Sequence, residues 1–330
     1  MPFSFYRIYK ATWLINRQMS RISCVIVMCP LLLANALAFR DDLLSAFTDR
    51  DSPARPKRIL NGEAVRMNRE IKYQVLIRGK PKGKFVCGGS IIGEQSVLTA
   101  AHCLVNNENE TFMELPPVIL AGITNARAKQ HGHYFKSDVI KAYIPKDFKW
   151  QDQETASIAD IAVLKLQHNF GRRYYLSKIN LPAVNMTKSY DGIRALVTGY
   201  GYDDIECNAG DEDANCKWSW SGQLNKMIVR IITSEESDSL LDYCKPREKF
   251  ICAVIDPRYE SGGPCSGDSG GPLVFNNTVI GVMINSPEWC DQVRVPGRYT
   301  RVATYIDFIR NAMNDVATLD MRVHSWTTRG

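Results

Sequence analysis

The chain has 330 residues, of which 45% are apolar and 23% charged, and its formal net charge is +6. Nine Lys and Arg against four Asp and Glu fall in residues 1–58, leaving 32 basic and 31 acidic residues beyond Arg58. The near-neutral remainder excludes a basic nucleic-acid footprint, and the length fits one large β domain with extensions or two small domains.

Residues 1–38 read as a targeting segment. Arg17 and Arg21 precede an apolar run, Ile22 to Ala38, that closes on Ala36-Leu37-Ala38. A basic flank, an apolar core and a small-x-small end predict a secretory signal peptide cleaved after Ala38. The stretch before Arg17 is long, and Met19 offers an alternative start. An uncleaved membrane anchor is the competing reading, because the run approaches spanning length; Pro30 and Asn35 inside it favour cleavage. Residues 39–58 mix prolines with charges of both signs and end on Lys57-Arg58 before Ile59-Leu60-Asn61-Gly62. Such a segment cannot build a core and reads as a linker or pro-segment with a basic cut site.

Beyond Arg58 the chain reads as short strands. Tyr73 to Ile77, Ser90 to Ile92, Val97 to Thr99, Val118 to Leu120, Ile161 to Leu164, Ala195 to Thr198 and Val279 to Val282 are β-rich and separated by Gly, Asn, Asp or Pro. One stretch has helical spacing: Val302, Tyr305, Ile306, Ile309 and Met313. Many strands with one terminal helix predict an all-β barrel or sandwich. No motif stands out after Val316, and residues 317–330 read as a C-terminal tail.

Cys24 and Cys29 fall in the presumed signal. Eight cysteines remain, an even count that reads as a disulfide framework in an oxidising compartment. No Cys-x-x-Cys pair with matching histidines suggests zinc. Sequons at Asn109, Asn185 and Asn276 are candidate glycosylation sites on a secreted surface.

The stretch Gly267-Asp268-Ser269-Gly270-Gly271-Pro272 places a serine among glycines behind an aspartate. Alone it reads equally as an ordinary turn or as a nucleophile loop. A serine hydroxyl is a weak nucleophile without a base in reach. His102 is the candidate base, delivered by the β-rich run Leu98-Thr99-Ala100-Ala101. Asp160, at the head of Ile161 to Leu166, is either a turn residue or the carboxylate that orients an imidazole.

Together these stretches resemble the chymotrypsin/trypsin family of serine proteases. The resemblance is carried by Cys87-Gly88-Gly89-Ser90, Leu98 to Cys103, Asp160 to Leu166, Gly199-Tyr200-Gly201, Gly267 to Pro272, Pro296-Gly297-Arg298-Tyr299-Thr300 and the terminal helix, in the family's order. It implies two six-stranded antiparallel β-barrels with a C-terminal helix, and a serine-type endopeptidase domain over residues 59–316. His102, Asp160 and Ser269 would be the catalytic residues, and the N–H groups of Gly267 and Ser269 the oxyanion hole. Cleavage after Arg58 would free the Ile59 ammonium to pair with Asp268, so the secreted form would be a zymogen. The family pattern implies disulfides Cys87–Cys103, Cys244–Cys252 and Cys265–Cys290. It lacks one common pair, with Ala195 and Phe275 in its place. Cys207 and Cys216, in an acidic insertion from Asp203 to Asp213, are left as a local pair.

The resemblance weakens at the specificity pocket formed by Gly263, Ser286 and Gly297. Family members that cut after Lys or Arg carry Asp where this chain has Gly263, so an apolar or medium-sized P1 residue is expected. Glu288 and Asp291 are the nearby acids that could reverse this. Ile284 and Asn285 replace the usual Ser-Trp, and with the Asp203–Asp213 insertion they motivate a second reading: a catalytically weak homologue acting as a binding or regulatory module. Gly122 to Ser137 holds no acidic ligand, so no metal is expected, and no cofactor. The implied partners are a polypeptide substrate, an activating protease and a protein protease inhibitor. The chain is expected to be a monomer, secreted, with no nucleic-acid or membrane partner.

Overall fold

Short β-branched runs punctuated by turn residues do become strands. The computed structural model describes residues 59, 62–79, 86–106, 110–127, 134–150, 158–183, 189–207, 216–239, 244–259, 261–285, 290 and 295–327, with backbone alone for 86, 204–207, 216–218 and 237–239. The expected signal peptide (1–38) and pro-segment (39–58) lie outside the described residues, as do Asn109, Asn185, Ser286, Glu288 and Asp291.

After a two-residue strand β1 (Glu63–Ala64) come β2 (Gln74–Arg78), β3 (Val86–Ile91), β4 (Ser96–Thr99), β5 (Val118–Ala121), β6 (Phe135–Pro145) and β7 (Ala162–Leu166). They pair antiparallel in the circular order β6-β5-β2-β3-β4-β7, and β7 returns to β6, closing a six-stranded barrel. The second half repeats the plan with β8 (Arg194–Gly199), β11 (Asn225–Ile231), β12 (Phe250–Ile255), β13 (Pro272–Phe275), β14 (Thr278–Asn285) and β15 (Gly297–Arg301). Its order is β11-β12-β15-β14-β13-β8, closed by β8 on β11. Closure removes the open edges on which strands aggregate. Along β11 the buried residues alternate, Asn225, Met227, Val229 and Ile231, as a strand with one inward face requires.

Between these halves β9 (Asp204–Cys207) and β10 (Cys216–Ser219) form a two-stranded ribbon whose register sets Cys207 opposite Cys216. A six-residue helix α1 (Ser234–Ser239) follows β11. The chain then ends in a 3-10 turn (Val302–Tyr305), helix α2 (Ile306–Met313) and strand β16 (Met321–Ser325). The predicted terminal helix is thus split, its first turn being the tighter 3-10 form common at helix starts. Asp307 in its first turn and Arg310 in its last match the helix dipole. Phe308, Ile309 and Ala312 bury against the first barrel's core.

The halves are joined by packing and by polar contacts. Val274, Val279 and Val282 from β13 and β14 belong to the same apolar cluster as the first barrel's Val97, Leu98 and Val163. Thr198 on β8 donates its hydroxyl to Gln74 Oε1 on β2 at 2.6 Å, with both residues buried. Each outer strand crosses to a barrel: β1 pairs with β11, and β16 pairs with β6.

Three disulfides match the expected pairs: Cys87–Cys103, Cys244–Cys252 and Cys265–Cys290. Ala195 and Phe275 stand in place of the missing pair, Ala195 buried in the second barrel's core and Phe275 half-buried against it. At the β13–β14 turn Asn276 and Asn277 hold φ of +46° and +54°. Two positive φ values are what a two-residue hairpin turn demands, and asparagine tolerates them. Both side chains are exposed, so the Asn276 sequon is accessible.

Candidate active site

The turn after β4 is set by its own sequence. Ala101, His102 and Cys103 form a 3-10 turn, and the Cys87–Cys103 bond ties it back to β3. His102 is 7% exposed and Asp160 fully buried. The His102 backbone N–H donates to Asp160 Oδ1 at 2.9 Å, and His102 Nδ1 lies 2.7 Å from Asp160 Oδ2. One residue therefore meets both oxygens of the carboxylate, which fixes the imidazole's rotation and assigns the proton to Nδ1. Nε2 is left as the basic nitrogen. Thr300 on β15 donates its hydroxyl to the Asp160 carbonyl at 2.7 Å, anchoring this first-barrel residue from the second barrel. Among the described residues both hydrogen bonds to the Asp160 carboxylate come from His102.

The loop of Ser269 packs from the second barrel against β3 and the end of β4, just before this turn. The Ser269 carbonyl accepts the Gly88 N–H at 2.7 Å. The next residue, Gly270, has φ +75°, and a Cβ there would fall 2.1 Å from Thr99 Oγ1, 2.6 Å from Gly88 O and 3.1 Å from Ala100 N. Only glycine allows the Gly267–Pro272 loop to lie this close to the strand that delivers His102. Gly267 has φ +96°. Among the described residues the N–H groups of Gly267 and Ser269 donate to no protein acceptor, whereas Asp268, Gly270 and Gly271 donate to Cys265, Met283 and Asp268 carbonyls. The loop thus leaves two N–H groups beside Ser269 for a ligand.

Asp268 turns away from the cleft. Its Oδ1 accepts the Gly201 N–H at 2.8 Å and its Oδ2 the Cys265 N–H at 2.9 Å. The carboxylate is wedged against Gly199 and Gly201, where any Cβ would lie within 2.7 Å of it. Burial, with the nearby Asp203 charge adding, pushes its carboxyl up to about 6. Ile59 is also buried, in the second barrel's core beside Ala195, Met283 and Tyr299.

Where the sequence predicts the specificity pocket, Gly263 is buried at φ +149°, and a Cβ there would meet the Cys290 carbonyl at 2.9 Å and Ile255 Cδ1 at 3.5 Å. A Cβ at Gly297 would meet the Asn285 carbonyl at 3.6 Å and Met283 Cε and Tyr299 Cε2 at 3.7 Å. The atoms nearest such a Cβ at the two glycines are backbone carbonyls, Ile255, Met283 and an aromatic ring, none of them a carboxylate oxygen. A grouping of Cys87, His102 and Cys103 is compact enough to suggest a metal site, but the two sulfurs are bonded to each other and offer no thiolate.

Two contributors were not visible in the sequence. Thr300 stands in the Pro296–Thr300 stretch, but its bond to Asp160 appears only when the second barrel closes. The Trp150 ring lies against the His102 ring with centroids 5.3 Å apart at 64°, although it sits in a polar run with no periodicity to mark it.

Comparison with known proteins agrees with this geometry. The profile of the trypsin family matches residues 59–309. A CLIP domain-containing serine protease B4 of Anopheles gambiae is 25% identical over 77% of this chain and 70% of its own length. The urokinase-type plasminogen activator of Gallus gallus is 29% identical over 71% of this chain and 52% of its own, and coagulation factor XI of Bos taurus is 29% identical over 69% and 33%. The chain therefore spans about half and a third of the last two. With two closed six-stranded barrels and a match across three quarters of its length, the chain belongs to the chymotrypsin/trypsin-like family of serine proteases.

Proposed function

We propose that the protein is a secreted serine endopeptidase made as a zymogen. The observation that carries this reading is the doubly bonded His102–Asp160 pair, with the loop of Ser269 and Gly270 packed against the Thr99–Ala100 stretch that leads into His102. Ser269 Oγ attacks the scissile carbonyl while His102 Nε2 takes its proton. Asp160 holds the tautomer and stabilises the imidazolium, which then protonates the leaving amine. The Gly267 and Ser269 N–H groups stabilise the oxyanion. An acyl-enzyme forms at Ser269, and water releases it by the same steps. No metal or cofactor enters this scheme.

Activation rests on Arg58, Ile59 and Asp268. Cleavage after Arg58 by an activating protease frees the Ile59 ammonium, which pairs with the buried Asp268. Trypsin-like relatives supply the precedent for peptide substrates, and a protein inhibitor that occupies the same cleft fits this reading. Three disulfides suit an oxidising compartment, and the Cys207–Cys216 register suits a fourth. Among the described residues no helix is long and apolar enough to cross a membrane. Asn109, Asn185 and Asn276 would carry glycans, and the enzyme would act as a monomer.

The pocket of Gly263, Ser286 and Gly297 would take an apolar or medium-sized P1 side chain, because Gly263 stands where a carboxylate would be needed to pair a cation. Profiling the cut protein on a peptide library is expected to return Leu, Met, Phe or smaller apolar residues at P1. A profile dominated by Arg or Lys would overturn the pocket assignment and point to Glu288 or Asp291.

A further inference from the structure

The segment after α2 is built into the first barrel. β16 pairs with β6 from Met321 to Ser325, and the Trp326 N–H donates to the Ile140 carbonyl at 2.9 Å. Three of its side chains close on one loop, the loop that follows His102. The His324 ring stacks on Phe112 with centroids 4.8 Å apart, and Trp326 meets both rings edge-on. Trp326 Nε1 donates to the Met113 carbonyl at 3.0 Å. The Arg322 guanidinium lies 5.7 Å over Phe112, donates to the Glu110 carbonyl and sits 3.8 Å from Glu110 Oε2.

The contacts continue from Glu110 to the imidazole. Glu110 Oε1 accepts the Trp150 N–H at 2.6 Å, and the Trp150 ring abuts His102. A backbone N–H held by a carboxylate makes one of the shorter and stronger hydrogen bonds. Glu110 holds φ +52°, a conformation that a residue with a side chain keeps only where its surroundings over-determine it. Here Arg322 grips its carbonyl and its carboxylate together. Met113 is also fixed, since its N–H donates to Leu104 O at 2.9 Å while its carbonyl receives Trp326.

We propose that Glu110 and Arg322 are positioning residues for His102: the C-terminal strand clamps the loop after His102, and through Glu110 it sets Trp150 against the imidazole. The inference rests on the reading of His102 as the catalytic base. Asp160 fixes the ring through Nδ1, and Trp150 covers a second side. Together they restrict the ring's rotation and keep water from the His102–Asp160 pair.

The test uses the full chain cut after Arg58, with active sites titrated by a fluorophosphonate so that kcat refers to labelled sites alone. Arg322→Ala and Glu110→Ala are expected to lose about tenfold in kcat, less than the ~100-fold that a 1 Å misplacement of a catalytic group can cost, with KM for a peptide substrate little changed. The acid limb of kcat/KM, which reports His102, should move in both. Glu110→Gln keeps an oxygen for the Trp150 N–H and should recover most of kcat. Lys141→Ala removes the 2.8 Å pair with Asp315 at the same tail–barrel junction without reaching Glu110, and should leave kcat unchanged. Wild-type kcat and an unmoved acid limb in Arg322→Ala and Glu110→Ala would overturn the proposal, as would an equal loss in Lys141→Ala. Failure of the wild-type chain to label would instead overturn the base assignment itself.

Discussion

Asp160→Asn is expected to lower kcat about 10⁴-fold, the magnitude this chemistry shows when the carboxylate–imidazole pairing is broken. The reason is tautomeric. Asp160 Oδ2 accepts from His102 Nδ1 at 2.7 Å and Oδ1 from the His102 backbone at 2.9 Å. With Oδ1 retained on the backbone N–H, an amide would present its NH2 to Nδ1 and drive the ring proton to Nε2. The nitrogen that should take the Ser269 proton would then be occupied. KM for a peptide should stay within about threefold, because the interaction lost belongs to the transition state. Among the described residues both hydrogen bonds to the Asp160 carboxylate come from His102, so this pair carries the orientation with little redundancy. A variant that kept a tenth of the wild-type kcat would contradict the role given to Asp160.

The second large effect concerns Asp268. Its carboxyl is raised from 3.8 to about 6, burial being the main cause. A raised carboxyl means that the ordered state binds its proton more tightly than the unfolded chain does. The ordered arrangement is therefore favoured at low pH, and that advantage is lost as pH rises from about 3.8 through about 6. The difference is about 3 kcal/mol above pH 6. A newly freed Ile59 ammonium reverses the balance by giving the carboxylate a partner. In Arg58→Gln, which cannot be cut at that bond, activity at pH 7.5 is expected to be lower than in the cut form by at least about 100-fold, the population ratio that ~3 kcal/mol supports. Thermal melts should show Arg58→Gln losing stability relative to the cut form between pH 4 and 6.5. Full activity of Arg58→Gln without any cut would remove the zymogen reading, and parallel melting curves would remove Asp268 as its cause.

Much of the fold was legible because barrel strands announce themselves locally. Tyr73 to Ile77, Val97 to Thr99 and Ala195 to Thr198 are β-branched runs bounded by turn residues, and each sits within a residue of an observed strand. Longer strands hid for physical reasons. In β6 the alternation is interrupted by a register shift between Val139 and Lys141, so no single period runs through Phe135–Pro145. β16, with Arg322 and His324 in its five residues, has no apolar run, and its strand character comes from pairing with β6. That is why residues beyond Val316 read as a featureless tail.

The site divides in the same way. Ser269, His102 and Asp160 could be singled out because their chemistry needs particular residue types in recognisable surroundings. Trp150, Glu110, Thr300 and Arg322 act through tertiary contacts 40 to 212 residues apart in sequence. No local pattern encodes such contacts. The pocket lies between these cases: Gly263 showed that a carboxylate was missing, but the close approach of the Cys290 carbonyl, which leaves no room for a side chain, is a property of the folded loop.

The most direct test of the endopeptidase assignment is reaction of the chain, before and after cleavage at Arg58, with a fluorophosphonate probe followed by peptide mapping. The account predicts stoichiometric labelling of Ser269 in the cut protein, little labelling of the uncut protein, and none in Ser269→Ala. A cut, folded protein that leaves Ser269 unlabelled would contradict it.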